Sequence, residues 1–350
     1  MRPSLQDLSF EEIAELVKKF EFPTYRTKQL YDMVLRCKEY NEATNLPLPL
    51  KQKFENEYDA ISVALEQEFC GKSNVKKYLY RLRDGITIEG VYMPHGYGDS
   101  LCVSTQAGCR MACSFCASGL NGLERNLETS EIFGQVLLAE RLNARSDGKR
   151  AITNIVLMGS GEPLDNYTNV IKFISLVNSE ASLNISERNI SLSTVGLPDK
   201  IRELADSGHK VTLAISLHAP TDEKRNKIIP QNRKHCIAEI INAVKYYFEK
   251  TGRRIIFEYA LAKNENSTLQ SANELIILLR GIPCHVNLIP LNFVKEKKIE
   301  GADSKTVNDF LNALAKGRIS ATVRRSMGSD IFGACGQLRL GYLEGSNARS

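Results

Sequence analysis

Apolar positions in the first sixty residues recur at helical spacing. Ile13, Leu16, Val17 and Phe20 fall on one face, behind a Ser9 able to cap and Glu11 and Glu12 suited to a first turn. Leu30, Met33, Val34 and Cys37 repeat the pattern. Residues 46–50, Leu-Pro-Leu-Pro-Leu, read as a rigid connector, because each proline fixes its own backbone and restricts its predecessor. Between 78 and 93 the period shortens: Tyr78, Tyr80 and Leu82, then Ile86, Ile88 and Val91 alternate as strands do. From about residue 100 short apolar runs alternate with helical stretches. Strands are expected over 101–105, 152–158, 190–194, 212–217, 255–261, 286–291 and 321–324. Helices are expected over 129–142, with Thr129 as its cap, and over 169–177, 237–248 and 268–279. Repeated strand–helix units imply a parallel sheet, here a barrel or part-barrel whose ligands gather at the strands' C-terminal ends.

The expected organisation is an α/β chain in four parts. Residues 1–60 form a helical accessory domain and 61–98 a β-rich linker. Residues 99–343 form a partial (β/α)6 TIM-type barrel, and 344–350 a loose tail. Length and composition agree: 350 residues, 43% hydrophobic and 25% charged, suit a globular protein with a sizeable core. No apolar run is long enough to span a bilayer, and the N-terminus lacks a secretory core, so the expected location is the cytoplasm without membrane attachment. The net charge of +5 is clumped. Lys76-Lys77 with Arg81 and Arg83, Lys224-Arg225 with Lys227, Arg253-Arg254, Lys295 with Lys297-Lys298, and Arg324-Arg325 together favour a nucleic-acid surface, although each clump alone fits a solvated face.

Nine cysteines in a cytoplasmic chain argue against a disulfide framework. Their spacing is more telling. Cys109, Cys113 and Cys116 form C-x₃-C-x₂-C directly after a short strand. Three thiolates this close can converge on one metal centre. Structural zinc normally takes four ligands, and no fourth Cys or His stands nearby in the chain. A [4Fe–4S] cluster held by three cysteines leaves one iron open for a substrate or cofactor. A zinc knuckle with a distant fourth ligand, or plain buried cysteines, is the competing reading.

C-x₃-C-x₂-C after the first strand of a repeated strand–helix domain resembles the radical S-adenosylmethionine (SAM) enzymes. The resemblance implies that SAM chelates the open iron and that an electron from the cluster releases a 5′-deoxyadenosyl radical. Gly159-Ser160-Gly161-Glu162-Pro163, after the second barrel strand, resembles the family's glycine-rich SAM segment. Glycines allow close backbone approach, and Glu162 can accept from an ammonium. Ser193, Ser216-Leu217-His218 and Asn292 also lie at strand ends. With Gly161 and Glu162 they make up the expected SAM contacts.

Two further cysteines narrow the resemblance. Cys102 lies on the strand feeding the cluster loop. Cys335 lies between Gly333 and Gly336, in a stretch able to move a thiol. Together with the triplet, and with Tyr25-Arg26-Thr27-Lys28-Gln29-Leu30 and Thr44-Asn45-Leu46-Pro47, they are similar over nearly the whole chain to the RlmN/Cfr family of RNA adenine methyltransferases. Cys37, Cys70, Cys236 and Cys284 read as small buried hydrophobes.

The resemblance implies two SAM molecules per turnover. Cys335 takes a methyl from one. The radical from the other removes a hydrogen from it, and the resulting carbon adds to an electron-poor adenine carbon. Cys102 then attacks the Cys335 sulfur, releasing methyladenine and leaving a Cys102–Cys335 disulfide that a reductant resets. Glu89 corresponds to the family's proton acceptor, with Cys102 as a competing base.

The implied substrate is carbon 2 of adenosine 2503 in 23S rRNA, and in some members also adenosine 37 of tRNA. Residues 161–166 and 287–292 read like the carbon-2 branch, since the carbon-8 branch tends to carry alanine and arginine at the Pro163 and Pro290 positions. An electron-donor protein of the flavodoxin or ferredoxin kind and a monomeric state complete the expectation. A non-catalytic iron–sulfur or zinc protein on RNA is the rival class, and it would need neither Cys102 nor Cys335.

Overall fold

In the computed structural model, residues 2–96, 98–292, 299–324, 327–334 and 336–338 are described. Three helices come first: α1 (Phe10–Lys19), α2 (Arg26–Leu35) and α3 (Leu48–Glu57). Ser9 caps α1 reciprocally. Its Oγ accepts from Glu12 N at 3.2 Å, and Glu12 Oε2 accepts from Ser9 N at 2.7 Å. The expected connector at 46–50 divides instead. Pro47 is the cap and Leu48-Pro49-Leu50 the first turn of α3, where a proline's missing N–H costs nothing.

The strands β1 (Val63–Cys70), β2 (Lys76–Leu82) and β3 (Thr87–Met93) form an antiparallel meander. They do not stand apart from the barrel, because β3 pairs antiparallel with its first strand, β4 (Asp99–Cys102). A separate hairpin, β5 (Gln106–Gly108) and β6 (Leu123–Asn126), carries the cysteine loop between its strands. Then follow α4 (Thr129–Leu142), β7 (Ile152–Leu157), α5 (Tyr167–Asn178), β8 (Ile190–Thr194), α6 (Pro198–Asp206) and β9 (Thr212–Ser216). The chain continues through α7 (Asp222–Ile228), α8 (Ile237–Thr251), β10 (Ile255–Leu261), α9 (Leu269–Leu279), β11 (Cys284–Pro290), α10 (Ser304–Lys316) and β12 (Ala321–Val323). The sheet order is β1-β2-β3-β4-β7-β8-β9-β10-β11-β12, parallel from β4 onward. This is the part-barrel expected from the alternating pattern.

Two expectations need correction. The first barrel strand stops at Cys102, not at residue 105. Val103 N still reaches Val156 O at 3.0 Å, but Thr105 N and Gln106 N both turn to Ser160 O, at 2.9 and 3.1 Å. The loop after β7 captures the chain, so the cysteine triplet follows a hairpin strand and not the barrel strand. Thr129 does not cap α4. Glu128 does, with Glu131 Oε2 accepting from Glu128 N at 2.9 Å, while Thr129 Oγ1 donates to Asn169 O at 3.3 Å.

One apolar core runs from Leu5, Ile13, Leu30 and Phe54 to Phe133, Phe173, Phe257 and Phe310. The N-terminal helices and the barrel therefore share it. α4 is buried from Thr129 to Ala139, and its first turn is held by Asp7, whose Oδ1 accepts from Ser130 N at 2.7 Å. Among the described residues no helix is long and apolar enough to cross a membrane.

Candidate active site

Cys109, Cys113 and Cys116 line one cavity with Gly161, Glu162, Ser193, Ser216, His218 and Asn292. The loop carrying the thiols is fastened on several sides. Arg110 Nε donates to Asp165 Oδ2 at 2.8 Å, and its Nη2 pairs with Oδ1. Ser114 N and Oγ both donate to Ile228 O, at 2.9 and 3.1 Å. Gln106 ties the hairpin to the loop after β7: its Oε1 accepts from Glu162 N at 2.8 Å, and its Nε2 donates to Asp165 Oδ2 at 2.9 Å. Asn166 Nδ2 donates to Thr105 O and Leu127 O, at 2.8 and 2.7 Å. Gly161, at φ 110°, lies so close to Gln106 that a Cβ would come within 2.6 Å of its side chain. Only glycine tolerates both the angle and the contact.

Burial pushes the Cys109 thiol up to about 12 and raises Cys113 further. Thiols in such a setting release their protons when a metal centre replaces them. Among the described residues no group of three His, Cys, Asp or Glu side chains is gathered to hold a metal ion. The donor set nonetheless fits an iron–sulfur cluster: three soft thiols on one fastened loop facing one cavity.

The chain neighbourhood of the triplet offers no histidine, but the fold brings one. Phe115 packs edge-on against His218, with ring centroids 4.8 Å apart. His218 Nδ1 accepts from Ala260 N at 2.9 Å, and burial depresses the imidazole to about 3. The ring is neutral with its proton on Nε2, so neither nitrogen offers a lone pair to a metal. The set stays at three thiols.

Glu162 is buried, and desolvation lifts its carboxyl to about 7. Its oxygens accept from Val195 N at 2.8 Å and Leu164 N at 3.1 Å, which aims the group across the end of β8. Ser193 and Ser216 hydroxyls stand 3.3 Å apart, and Ser193 Oγ donates to Glu258 Oε2 at 3.2 Å. Leu217 is not part of this lining. Its side chain lies in the main core, its N–H is held by Ile215 O and Glu258 O, and its carbonyl accepts from Arg225.

A second cavity, of about 810 Å³, adjoins the first; Met158, Ile289, Asn292 and Leu338 line both. Cys102, 8% exposed at the end of β4, opens on it and packs with Val75, Val91 and Leu338. Cys335 lies outside the described residues. Its neighbours do not: Ala334 lines the second cavity, Gly336 the first, and Gly336 O accepts from Ala117 N at 2.9 Å. Glu89 sits two residues before Val91, the pairing partner of Cys102, and Lys77 Nζ meets its Oε1 at 3.1 Å, with both side chains buried.

Parts of the expected basic surface are thereby withdrawn. Lys77 and Arg225 are buried, and Lys224 pairs with Glu274 at 2.6 Å. Lys295, Lys297, Lys298 and Arg325 lie outside the described residues. No motif marks Gln106 or Glu258, and Arg225 and Arg324, expected on a basic surface, turn to the site instead. Glu258, a buried carboxylate in β10, accepts from Ser193 and pairs with Arg324 at 3.4 Å. A glutamate inside an otherwise apolar strand is the signal that was available.

Residues 103–269 match the radical SAM superfamily. A Clostridium perfringens protein named probable dual-specificity RNA methyltransferase RlmN is 48% identical over 344 residues, 97% of this chain and 98% of the relative. The chain belongs to the RlmN family. A second RlmN, from Lachnoclostridium phytofermentans, is 46% identical over 97% of this chain and 95% of its own length. The crystal structure of a radical SAM methyltransferase from Sphaerobacter thermophilus superposes with a TM-score of 0.92 at 39% identity, covering 96% of this chain and 99% of that one. Like other RlmN-family members, this protein is a SAM-dependent RNA methyltransferase of the radical SAM class. Its cofactors are a [4Fe–4S] cluster and SAM.

Proposed function

We propose that the enzyme methylates carbon 2 of the 23S rRNA adenosine named above, and an adenosine of tRNA as a second substrate, through a thioether on Cys335. The dual-specificity wording borne by its RlmN relatives supports the second substrate. The observation that carries the reading is the pair of adjoining cavities, one lined by the triplet and the other by Cys102. About 810 Å³ is ample for an unstacked nucleotide. When bound, the cluster and SAM supply the electron, the methyl group and the hydrogen-abstracting radical.

The chain's residues do the rest. Cys109, Cys113 and Cys116 hold the cluster; Gly161, Glu162, Ser193, Ser216, His218 and Asn292 line the SAM side. Cys335 carries the methyl carbon and joins the adenine through it. Glu89 or Cys102 takes the proton from the adenine carbon, and the adduct's unpaired electron would pass back to the cluster. Cys102 attacks the Cys335 sulfur, closing a disulfide and freeing the base, whose methylene carbon takes up a proton to become the methyl group, and an external dithiol reopens that disulfide. A flavodoxin- or ferredoxin-type donor, action as a monomer in the cytoplasm, and helical, linker and barrel parts bounded near residues 60 and 98 belong to the same proposal.

The test is anaerobic reconstitution, incubation with SAM, reductant and unmodified rRNA or tRNA, and nucleoside mass analysis. The expected product is 2-methyladenosine, and 8-methyladenosine would overturn the regiochemistry. Cys335→Ala is expected to abolish methylation while retaining iron and sulfide; full activity would refute its role. Cys102→Ala should leave a protein–RNA cross-link on a denaturing gel, and normal turnover without one would remove Cys102 from the cycle.

A further inference from the structure

Arg225 is 1% exposed, in α7 directly behind the cysteine loop. Its Nε donates to Leu217 O at 3.0 Å, its Nη1 to Asn232 Oδ1 at 2.6 Å, and its Nη2 to Ser216 O at 3.1 Å and to Val195 O. All four acceptors are neutral. Asp222, the acid in the same helix, is engaged elsewhere: its Oδ1 accepts from Asn232 Nδ2 and Ile237 N, each at 2.9 Å. Among the described residues no carboxylate bonds to Arg225, and it forms no ion pair. A guanidinium so deeply buried with only neutral partners is expensive unless opposite charge completes its surroundings.

That charge is close at hand. Cys113 packs in one small cluster with Val195, Ala219, Ile228 and Ile229, the residues that flank Arg225 along the strand end and the helix. Burial weakens the arginine's hold on its proton, and the charged forms of Cys113 and, after it, of Asp222 strengthen that hold. The middle and the last residue of α7 thus work together: Arg225 clasps the ends of β8 and β9, and the Ile228 carbonyl holds Ser114 of the cysteine loop.

We infer that Arg225 is a positioning residue of the cluster site that also sets its potential: it locks the β8 and β9 ends beneath the loop and fixes a positive charge behind Cys113 that favours the reduced cluster. The inference rests on the reading that Cys109, Cys113 and Cys116 hold the cluster. Reduction adds one electron from an external one-electron donor, so the cluster's charge becomes more negative by one. A fixed cation across a low-dielectric layer stabilises that state more than the oxidised one.

The experiment is a potentiometric titration of the reconstituted full-length protein, followed by electron paramagnetic resonance, without RNA. Iron and sulfide are assayed in each sample. Three variants separate the clasp from the charge. Arg225→Gln removes the charge. Arg225→Lys keeps it and loses the fork. Asp222→Asn with Asn232→Asp moves an acid onto Arg225 without changing net charge or removing the arginine.

Arg225→Gln and the transferred acid are expected to lower the reduced-to-oxidised ratio at a fixed potential at least tenfold, a 59 mV shift for one electron. Arg225→Lys should stay within threefold of wild type. A wild-type potential in either of the first two, at full iron content, overturns the inference, as does a fall in Arg225→Lys equal to that in Arg225→Gln. If Arg225→Gln takes up no iron, the transferred acid decides alone. A wild-type protein that takes up no cluster overturns the cysteine assignment and, with it, this inference.

Discussion

Glu162 illustrates what a single buried group contributes. Burial disfavours its charged form, so its carboxyl holds a proton up to about pH 7. The folded protein binds that proton more tightly than the unfolded chain does. The group therefore favours folding at low pH, and this contribution is lost as pH rises from about 4.5 to 7. His218 works in the opposite sense. Its contribution is complete above about 6.5 and fades as pH falls toward about 3, because the buried ring stays neutral where the unfolded one charges. Ligand binding follows from the first case. If Glu162 accepts from the SAM ammonium it must be ionised, so SAM affinity should rise between pH 6 and 8. Glu162→Gln should weaken binding roughly 10- to 100-fold, the worth of a charge-assisted hydrogen bond, and flatten the pH profile. Equilibrium dialysis of the cluster-loaded protein checks both. At this scale the sequence reading identified residue types better than orientations. Ser216 and His218 face the cavity, but the intervening Leu217 turns into the core. Gln106, Arg225, Glu258 and Arg324 were illegible for another reason: their partners, such as Glu162, Val195, Ser193 and Glu258, stand 30 or more positions away in the chain.

The elements themselves were easier to read. Strands β8 and β10 and helix α4 begin and end where the apolar pattern does, because each is buried over most of its length. Boundaries slipped where a distant loop intervened, as when Ser160 drew the chain off β4 after Cys102. The meander β1–β3 was legible as strands, but its pairing with the barrel was not, since alternation records a face and not a neighbour. That pairing buries the Lys77–Glu89 ion pair between β2 and β3. Lys77→Met should destabilise the fold by about 3–5 kcal/mol, because it removes the ammonium that pairs with a buried carboxylate. Lys77→Met with Glu89→Leu should recover much of that loss. Urea unfolding at neutral pH measures both, and equal stability of Lys77→Met and wild type would deny the pair any structural role.

For the whole molecule, net charge and surface charge are different quantities. The clumped basic residues suggested a broad polyanion surface, yet Lys77 and Arg225 serve the interior while Arg81 is 57% exposed in its side chain. RNA affinity should fall steeply with salt as counterions are released. Arg81→Ala should lower the slope of log affinity against log salt by about one if it meets phosphate. Arg225→Lys should leave that slope unchanged. Filter binding between 50 and 200 mM salt, a span over which roughly 10³–10⁵-fold is lost with many phosphate contacts, resolves the difference.

The position of β4 carries a last consequence. It is hydrogen-bonded on both edges, antiparallel to β3 and parallel to β7, and Cys102 sits in the final register of each pairing. A sulfur mounted this way hangs from a backbone that is held on both sides. In the proposed cycle Cys102 meets its partner sulfur from a held backbone, by turning its own side chain. Substitutions that weaken the pairing of β4 with β3 should slow thioether release, read as a longer-lived protein–RNA cross-link in a single-turnover quench. The sheet supplies the anvil on which the thioether is broken.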